Sequence, residues 1–169
     1  MEALEPDLIL VLGDLEPAWT EGLAEVELPK LGVRGNHDAD DALEAVGVED
    51  LHLRRRELGG LSFAGFGGSP RYSPHGGNEW TEEEAEQMLH GLPAADVLLA
   101  HSPPAGVNDE LHDRAHRGSP ALRDWVERHQ PGWLLHGHTL PDPAHRVSEL
   151  GPTRVVHVRG ALPLELEPS

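Results

Sequence analysis

The sequence has no cysteine and no long apolar run, and both absences narrow the classes of protein to which it can belong. Without cysteine it has no disulfides, no thiolate zinc sites and no cysteine nucleophiles. Hydrophobic residues form 38% of the chain but never a block of about 18, which excludes a membrane-spanning helix. The opening residues, MEALEPDLIL, lack the basic segment and cleavage site of a secretory signal, so we expect a cytoplasmic protein.

Basic residues are also scarce. The chain has 13 lysines and arginines and 30 acidic residues, so its formal net charge is −17. Such a surface repels a phosphate backbone, so we expect no non-specific nucleic-acid binding. A small phosphorylated substrate stays possible, because a bound divalent cation reverses the local field. The length of 169 residues predicts a single domain over residues 1–169.

Hydrophobic patterning predicts strands that alternate with helices, which indicates an α/β fold with a mixed sheet. Short apolar runs predict buried strands at 7–12, 31–33, 97–100 and 133–135. Hairpins are predicted around Gly59-Gly60 and Gly151-Pro152. Helices are predicted at 38–46, after a capping box that starts at Thr81, and after Ser119-Pro120.

Four of the predicted strands are followed by residues that can bind a metal ion: Asp14, Asn36, His101 and His138. The carboxyl ends of strands line the ligand-binding crevice of open α/β sheets. One carboxylate, one amide oxygen and two imidazoles suit Mn, Fe, Zn, Co or Ni better than Ca or Cu(I). Each residue alone is common in turns, but the four together predict a metal site.

The run Gly35-Asn36-His37-Asp38 is the most specific part of this pattern. A turn uses glycine and asparagine for their tolerance of positive φ, but it has no need of the histidine. Together with Gly13-Asp14, His101 and Gly137-His138-Thr139, this run resembles the calcineurin-like metallophosphoesterase superfamily. The resemblance implies a sandwich of two mixed β-sheets flanked by helices, and a two-metal site that hydrolyses phosphomonoesters or phosphodiesters.

The resemblance also implies a role for each residue. Asp14 corresponds to the carboxylate that bridges two metals, and Asn36, His101 and His138 to the other ligands of the second metal. His37 corresponds to the histidine that contacts the phosphoryl oxygens or protonates the leaving group. Asp38 corresponds to its orienting partner. Metal-bound water has a pKa of about 7 in such sites, and we expect a divalent cation, with Mn favoured.

The chain departs from the family pattern at the first metal. The usual Asp-x-His strand is absent, and the segment MEALEPD resembles the end of the helix that follows it. The last histidine of Gly-His-x-His is replaced by Leu140. We therefore expect one metal site and a doubtful second one, with His136, His145 and His157 as the conceivable substitutes. Without the first strand the protein is expected to be rearranged or oligomeric, or the sequence to be part of a longer chain.

Three functions remain open from the sequence. The first is a phosphoesterase; the second is a degenerate relative that binds a metal or a phosphorylated ligand without turnover. The third is an acidic α/β domain with incidental histidines. Other polar residues are candidates for substrate contacts or simple surface positions: Arg71, Tyr72, Asp109, His112 and His116.

Overall fold

The computed structural model describes residues 5–167. Its strands are β1 (Ile9–Val11), β2 (Lys30–Gly32), β3 (Glu49–Asp50), β4 (Arg55–Leu58), β5 (Leu61–Phe66), β6 (Ser69–Pro70), β7 (Glu79–Trp80), β8 (Val97–Ala100), β9 (Trp133–His136), β10 (Val147–Leu150) and β11 (Thr153–His157). Its α-helices are α1 (Pro17–Thr20), α2 (Ala42–Ala45), α3 (Glu82–His90) and α4 (Pro120–His129). Short 3-10 helices lie at Leu23–Glu25, Arg114–His116 and Pro143–His145.

The strands form two main sheets and a two-stranded ribbon. The larger sheet has six strands in the order β10-β11-β9-β8-β5-β4, and the smaller has the order β1-β2-β3. The centre of the larger sheet is parallel, while β4 and β10 pair antiparallel at its two edges. The α/β class is therefore confirmed. One main sheet is mixed as expected, whereas the pairs of the smaller sheet are parallel within residues 5–167.

Strand β8 shows how the layers are held together. Val97 and Leu99 belong to the core between the two main sheets. Leu98 and Ala100 point the other way, into the core that includes Leu122 and other residues of helices α3 and α4. All four strand residues are fully buried. A strand covered on both faces has a continuous apolar sequence, which is why the apolar run predicted this strand.

Local signals in the sequence predicted several elements correctly. Gly59 and Gly60 form the tight turn between β4 and β5, with φ of +60° and +83°. Thr81 and Glu84 form a complete capping box at the start of α3. Ser119 caps α4 by accepting a hydrogen bond from the amide of Leu122 at 3.1 Å.

Other expectations need revision. The helix predicted over 38–46 is reduced to α2, Ala42–Ala45. The N-terminal segment expected to be the end of a helix is not helical at residues 5–7, and residues 1–4 lie outside the described part of the chain. Within residues 5–167 every helix is too short or too polar to cross a membrane.

Candidate metal centre

The carboxyl ends of strands from both main sheets meet at one place. Asp14 and Asn36 follow β1 and β2 of the smaller sheet, while His101 and His138 follow β8 and β9 of the larger one. The amide of Gly137 donates to the carbonyl of His101 at 3.1 Å, which keeps the last two strand ends together. The side-chain donor atoms of Asp14, His101 and His138 lie within 4.8 Å of one another. The structure thus brings the predicted ligands together.

His101 links the two sheets, and its hydrogen bonds fix its tautomer. It is 1% exposed, and its Nδ1 lies 2.7 Å from the carbonyl oxygen of Leu12. A carbonyl oxygen only accepts, so Nδ1 carries the proton and donates it. Burial lowers the pKa of His101, which favours the neutral ring. The lone pair of the ring is therefore on Nε2.

That lone pair faces two oxygen atoms. Nε2 of His101 lies 3.1 Å from Oδ1 of Asn36 and 3.6 Å from Oδ2 of Asp14. When the ring is neutral, three acceptor atoms surround one point with no hydrogen between them. Their lone pairs repel one another unless a cation is bound there. The donor set, with two oxygens and imidazole nitrogen, fits a divalent transition metal.

Asn36 is held so that its amide oxygen faces this point. The side chain is 5% exposed, and its Nδ2 lies 3.1 Å from the hydroxyl of Tyr72 and 3.2 Å from Nε2 of His37. Both contacts use the amide nitrogen as donor, so the amide oxygen faces the point where a cation would bind.

His138 approaches from the larger sheet on a strained backbone. Its φ is +65°, a value that residues other than glycine rarely adopt. Its Nε2 donates to the carbonyl of Ala115 at 2.6 Å, so that the neutral ring has its lone pair on Nδ1. Burial, and then the neighbouring His101, lower the pKa of His138 to about 4. The two rings lie 4.8 Å apart, centroid to centroid.

The side chain of Asp38 is bound to the backbone around the candidate metal centre. Its Oδ2 accepts from the amides of Asp14 at 2.8 Å and Gly35 at 2.7 Å, and its Oδ1 from the amide of Leu15 at 2.7 Å. Within residues 5–167 no hydrogen bond joins its side chain to that of His37, the partner that the family resemblance implied. Asp38 therefore orients the turn that carries Asp14.

The close packing of two glycines explains their place in the motifs. A Cβ on Gly35 would lie 2.5 Å from the amide nitrogen of Asp14 and 2.7 Å from Cε1 of His101. A Cβ on Gly13, whose φ is +86°, would lie 2.6 Å from Cα of Gly35. Neither position has room for a side chain, so the two strand ends can lie this close only because both residues are glycine.

His37 lies at the exposed rim of the centre. Its side chain reaches solvent, and its backbone amide donates to Oδ1 of Asp14 at 3.1 Å. The contact of its Nε2 with the amide nitrogen of Asn36 holds the ring beside the metal ligands.

The substitutes considered for the missing ligands are used elsewhere. His136 is fully buried; its Nδ1 donates to the carbonyl of Gly137 at 2.9 Å, and its Nε2 accepts from Asn108 at 3.0 Å. His157 donates through Nε2 to the carbonyl of Thr139 at 2.8 Å. His145 is exposed and lies outside the two candidate ligand groups found among the described residues.

A second group of ligand-type side chains lies beside His138, and sequence reasoning named only His116 among its members. Donor atoms of Glu110, Asp113 and His116 lie within 4.8 Å of one another. The ring of His116 is 5.3 Å from that of His138, and Oε1 of Glu110 accepts from the amide of Leu140 at 3.1 Å. The three residues are spaced by three positions in the long loop before α4, a regularity that the sequence does contain. His116 donates from Nδ1 to Asp113 at 2.8 Å, which explains their proximity without an ion.

The family model described as calcineurin-like phosphoesterase matches residues 1–142. The chain therefore belongs to the calcineurin-like phosphoesterase family.

The chain is also similar to an individual curated protein. The chain is 27% identical to an uncharacterized protein of Methanocaldococcus jannaschii in an alignment of 136 positions that covers 72% of this chain and 62% of the relative. It thus spans less than two thirds of the length of that curated relative.

Solved structures show the same fold. A crystal structure of the protein TT1561 of Thermus thermophilus is similar with a TM-score of 0.60 at 21% identity, over 89% of this chain and 76% of that one. Another crystal structure is similar with a TM-score of 0.64 at 20% identity, over 89% of this chain and 79% of that one.

Proposed function

We propose that this chain is a metal-dependent phosphoesterase that hydrolyses a small phosphomonoester or phosphodiester. One divalent cation, with Mn²⁺ favoured by the mixed oxygen and nitrogen donors, is held by Asp14, Asn36, His101 and His138. The observation that carries the proposal is the position of Nε2 of His101, which faces Oδ1 of Asn36 and Oδ2 of Asp14 at 3.1 Å and 3.6 Å. Membership of a phosphoesterase family supports the same class of reaction.

Backbone contacts orient the two imidazole donors. Leu12 orients His101 and Ala115 orients His138, each through a backbone carbonyl. Such outer contacts fix the ring orientation and raise the basicity of the free nitrogen. When bound, a divalent cation supplies Lewis acidity, which lowers the pKa of water and stabilises charge on phosphoryl oxygens.

His37 is the proposed proton donor for the leaving group. It is the exposed imidazole next to the ligand set, and its backbone is tied to Asp14. A general acid must reach the leaving oxygen within hydrogen-bond distance, and a ring at the rim of the site can meet a substrate that enters from solvent. The contact with Asn36 keeps it at that rim.

A second function is favoured by one feature. Leu140 stands where the family pattern has a ligand of the first metal, and its side chain is 57% exposed. A site with one cation lacks the pair that clamps both the attacking and leaving groups. The alternative is therefore a protein that binds a metal and a phosphorylated ligand without turnover.

Metal content and hydrolysis, measured on the same samples, separate these functions. The protein is stripped with chelator and reloaded with Mn²⁺; bound metal is counted by mass spectrometry, and p-nitrophenyl phosphate and bis(p-nitrophenyl) phosphate are assayed. We expect one Mn²⁺ per chain and hydrolysis of at least one ester. His101→Gln should lose both metal and activity.

His157→Gln is the matched control, because His157 is also buried and also donates to a backbone carbonyl. It should keep both metal and activity, with folding of each variant checked by circular dichroism. Stoichiometric metal without hydrolysis would support the binding protein instead. Metal that survives in a folded His101→Gln variant would refute the site.

A further inference from the structure

A cavity of about 440 Å³ opens next to the candidate metal centre. Tyr72 connects the cavity with the candidate metal centre. It lines the cavity, and its hydroxyl oxygen accepts from Nδ2 of Asn36 at 3.1 Å. The cavity therefore begins one side chain away from the proposed cation, on the side from which Asn36 is held.

Two arginines line this cavity, Arg71 from the loop after β6 and Arg114 from the 3-10 helix Arg114–His116. Arg71 is fixed in place, because its Nη2 donates to Oε2 of Glu84 at 3.1 Å and to the carbonyl of Glu79 at 3.3 Å. A guanidinium has five N–H donors, so this anchoring leaves donors for a ligand. Arg114 is exposed, and within residues 5–167 its side chain forms no salt bridge.

The acidic residue in the cavity wall has other partners. Oε2 of Glu82 accepts from Oγ of Ser119 at 3.0 Å and from the amide of Ala121 at 3.1 Å, at the start of helix α4. A helix N-terminus carries partial positive charge, which compensates the carboxylate. Glu82 is thus bound to the helix and does not pair with either arginine among the described residues.

Tyr72 adds a neutral donor to the same wall. Since Asn36 donates to the hydroxyl oxygen, the hydroxyl hydrogen points away from Asn36, and no acceptor for it exists within residues 5–167. Two guanidinium groups and one hydroxyl donor match the oxygens of a phosphate group.

We propose that this cavity binds a second phosphate group of the substrate, so that the chain prefers substrates with two phosphates over those with one. The proposal rests on the proposed function, since it assigns the first phosphate to the metal centre. In a chain of net charge −17, cations beside the site also favour the approach of such an anionic substrate.

A matched pair of substrates tests the preference. The p-nitrophenyl ester of thymidine 5′-phosphate is compared with the same ester that carries an additional 3′-phosphate. The reacting group is identical in the two compounds. We expect a KM about tenfold lower for the 3′-phosphorylated ester, as one charge-assisted contact gives, with similar kcat.

The variant that should abolish the preference is Arg114→Gln. It removes a side chain with no salt bridge among the described residues, so folding should not suffer. Arg117→Gln is the control, because Arg117 is exposed in the same loop but does not line the cavity. Equal KM values for the two esters with the unmodified chain, or a preference that survives in Arg114→Gln, would overturn the proposal.

Binding without catalysis distinguishes this proposal from the proposed function. Calorimetry on the Mn²⁺-loaded protein compares thymidine 3′,5′-bisphosphate with thymidine 5′-monophosphate. Tighter binding of the bisphosphate that depends on Arg114 would support the cavity even if neither ester is hydrolysed, a result that refutes only the phosphoesterase. Hydrolysis of both esters with equal affinity for the two nucleotides would refute only the cavity.

Discussion

The carboxylate of Asp38 holds the backbone amide of Asp14 at 2.8 Å, across 24 positions of the chain. The same side chain also accepts from the amides of Leu15 and Gly35. The last residue of the GNHD run thus acts as a clamp on the turn that carries Asp14, the first candidate metal ligand. The two loops that follow β1 and β2 form one unit, and the position of the Asp14 carboxylate depends on it.

The first prediction concerns this clamp. Asp38→Asn replaces one acceptor oxygen by an NH₂ group that faces backbone amides, so we expect a loss of about 1.5–3 kcal/mol in the free energy of unfolding. Mn²⁺ affinity should fall as well, because the Asp14 turn loosens. Urea denaturation and metal titration measure the two effects. Asp40→Asn, at an exposed position of the same loop, is the control and should change stability little. An Asp38→Asn variant as stable as the control would show that the clamp is unimportant.

The second prediction concerns the contact between the strand ends. Gly35→Ala places a methyl group 2.5 Å from the Asp14 amide and 2.7 Å from the His101 ring, so the two must separate. We expect a loss of about 1–3 kcal/mol in stability from overpacking, with loss of tight metal binding. Gly91→Ala is the comparison, since the nearest atom to its new methyl group would be the carbonyl oxygen of Met88 at 3.9 Å. Full metal binding by Gly35→Ala would mean that the ligands do not meet as described.

The third prediction tests His37 as a proton donor. A poor leaving group needs protonation more than a good one, so His37→Ala should slow hydrolysis of phenyl phosphate by about 10²-fold or more, and p-nitrophenyl phosphate less. Bound Mn²⁺ should be unchanged, because the ring is outside the ligand set. His75→Ala, another exposed histidine, serves as the control. Equal losses for both esters would assign His37 to binding and not to proton transfer.

The fourth prediction concerns pH. Nδ1 of His52 accepts from the amide of Gly67 at 3.0 Å, and burial lowers the pKa of His52 below its ordinary 6.5. The unfolded chain then binds a proton at a higher pH than the folded one, so stability falls as the pH drops below 6.5.

His52→Gln removes this titration, so unfolding of the variant takes up about one proton fewer at low pH. We therefore expect the urea midpoint to fall less between pH 7 and pH 5 than in the unmodified chain. His75→Gln, at an exposed position, should leave the pH dependence unchanged. If the stability of His52→Gln depended on pH as that of the unmodified chain does, the pKa of His52 would not be lowered by folding.

The sequence predicted those parts of the fold that local contacts determine. The turn at Gly59-Gly60 and the caps at Thr81 and Ser119 depend on neighbours a few residues away, and all three were correct. Buried strands such as β8 are covered on both faces, which leaves a simple apolar run. The meeting of the four candidate ligands followed from one rule, that parallel strands present their carboxyl ends at the same edge.

The contacts between loops could not be predicted in this way. Asp38 was expected to serve His37, its neighbour in sequence, but its oxygens accept from amides on another loop. Asp38 was also expected to begin a helix, but the helix found there is only Ala42–Ala45. The approach of His116 to His138 depends on the path of a long loop, which hydrophobic periodicity does not describe.

The positive φ angles of Asp14 and His138 mean that these two side chains are kept at a cost in backbone energy. At +53° and +65° both residues occupy a region where glycine rests more easily, by roughly 1–2 kcal/mol for each residue. Mutation of either one to glycine would relax the backbone while it deletes a candidate metal donor. Folding alone therefore favours glycine at both positions, and the carboxylate of Asp14 and the imidazole of His138 are held against that preference.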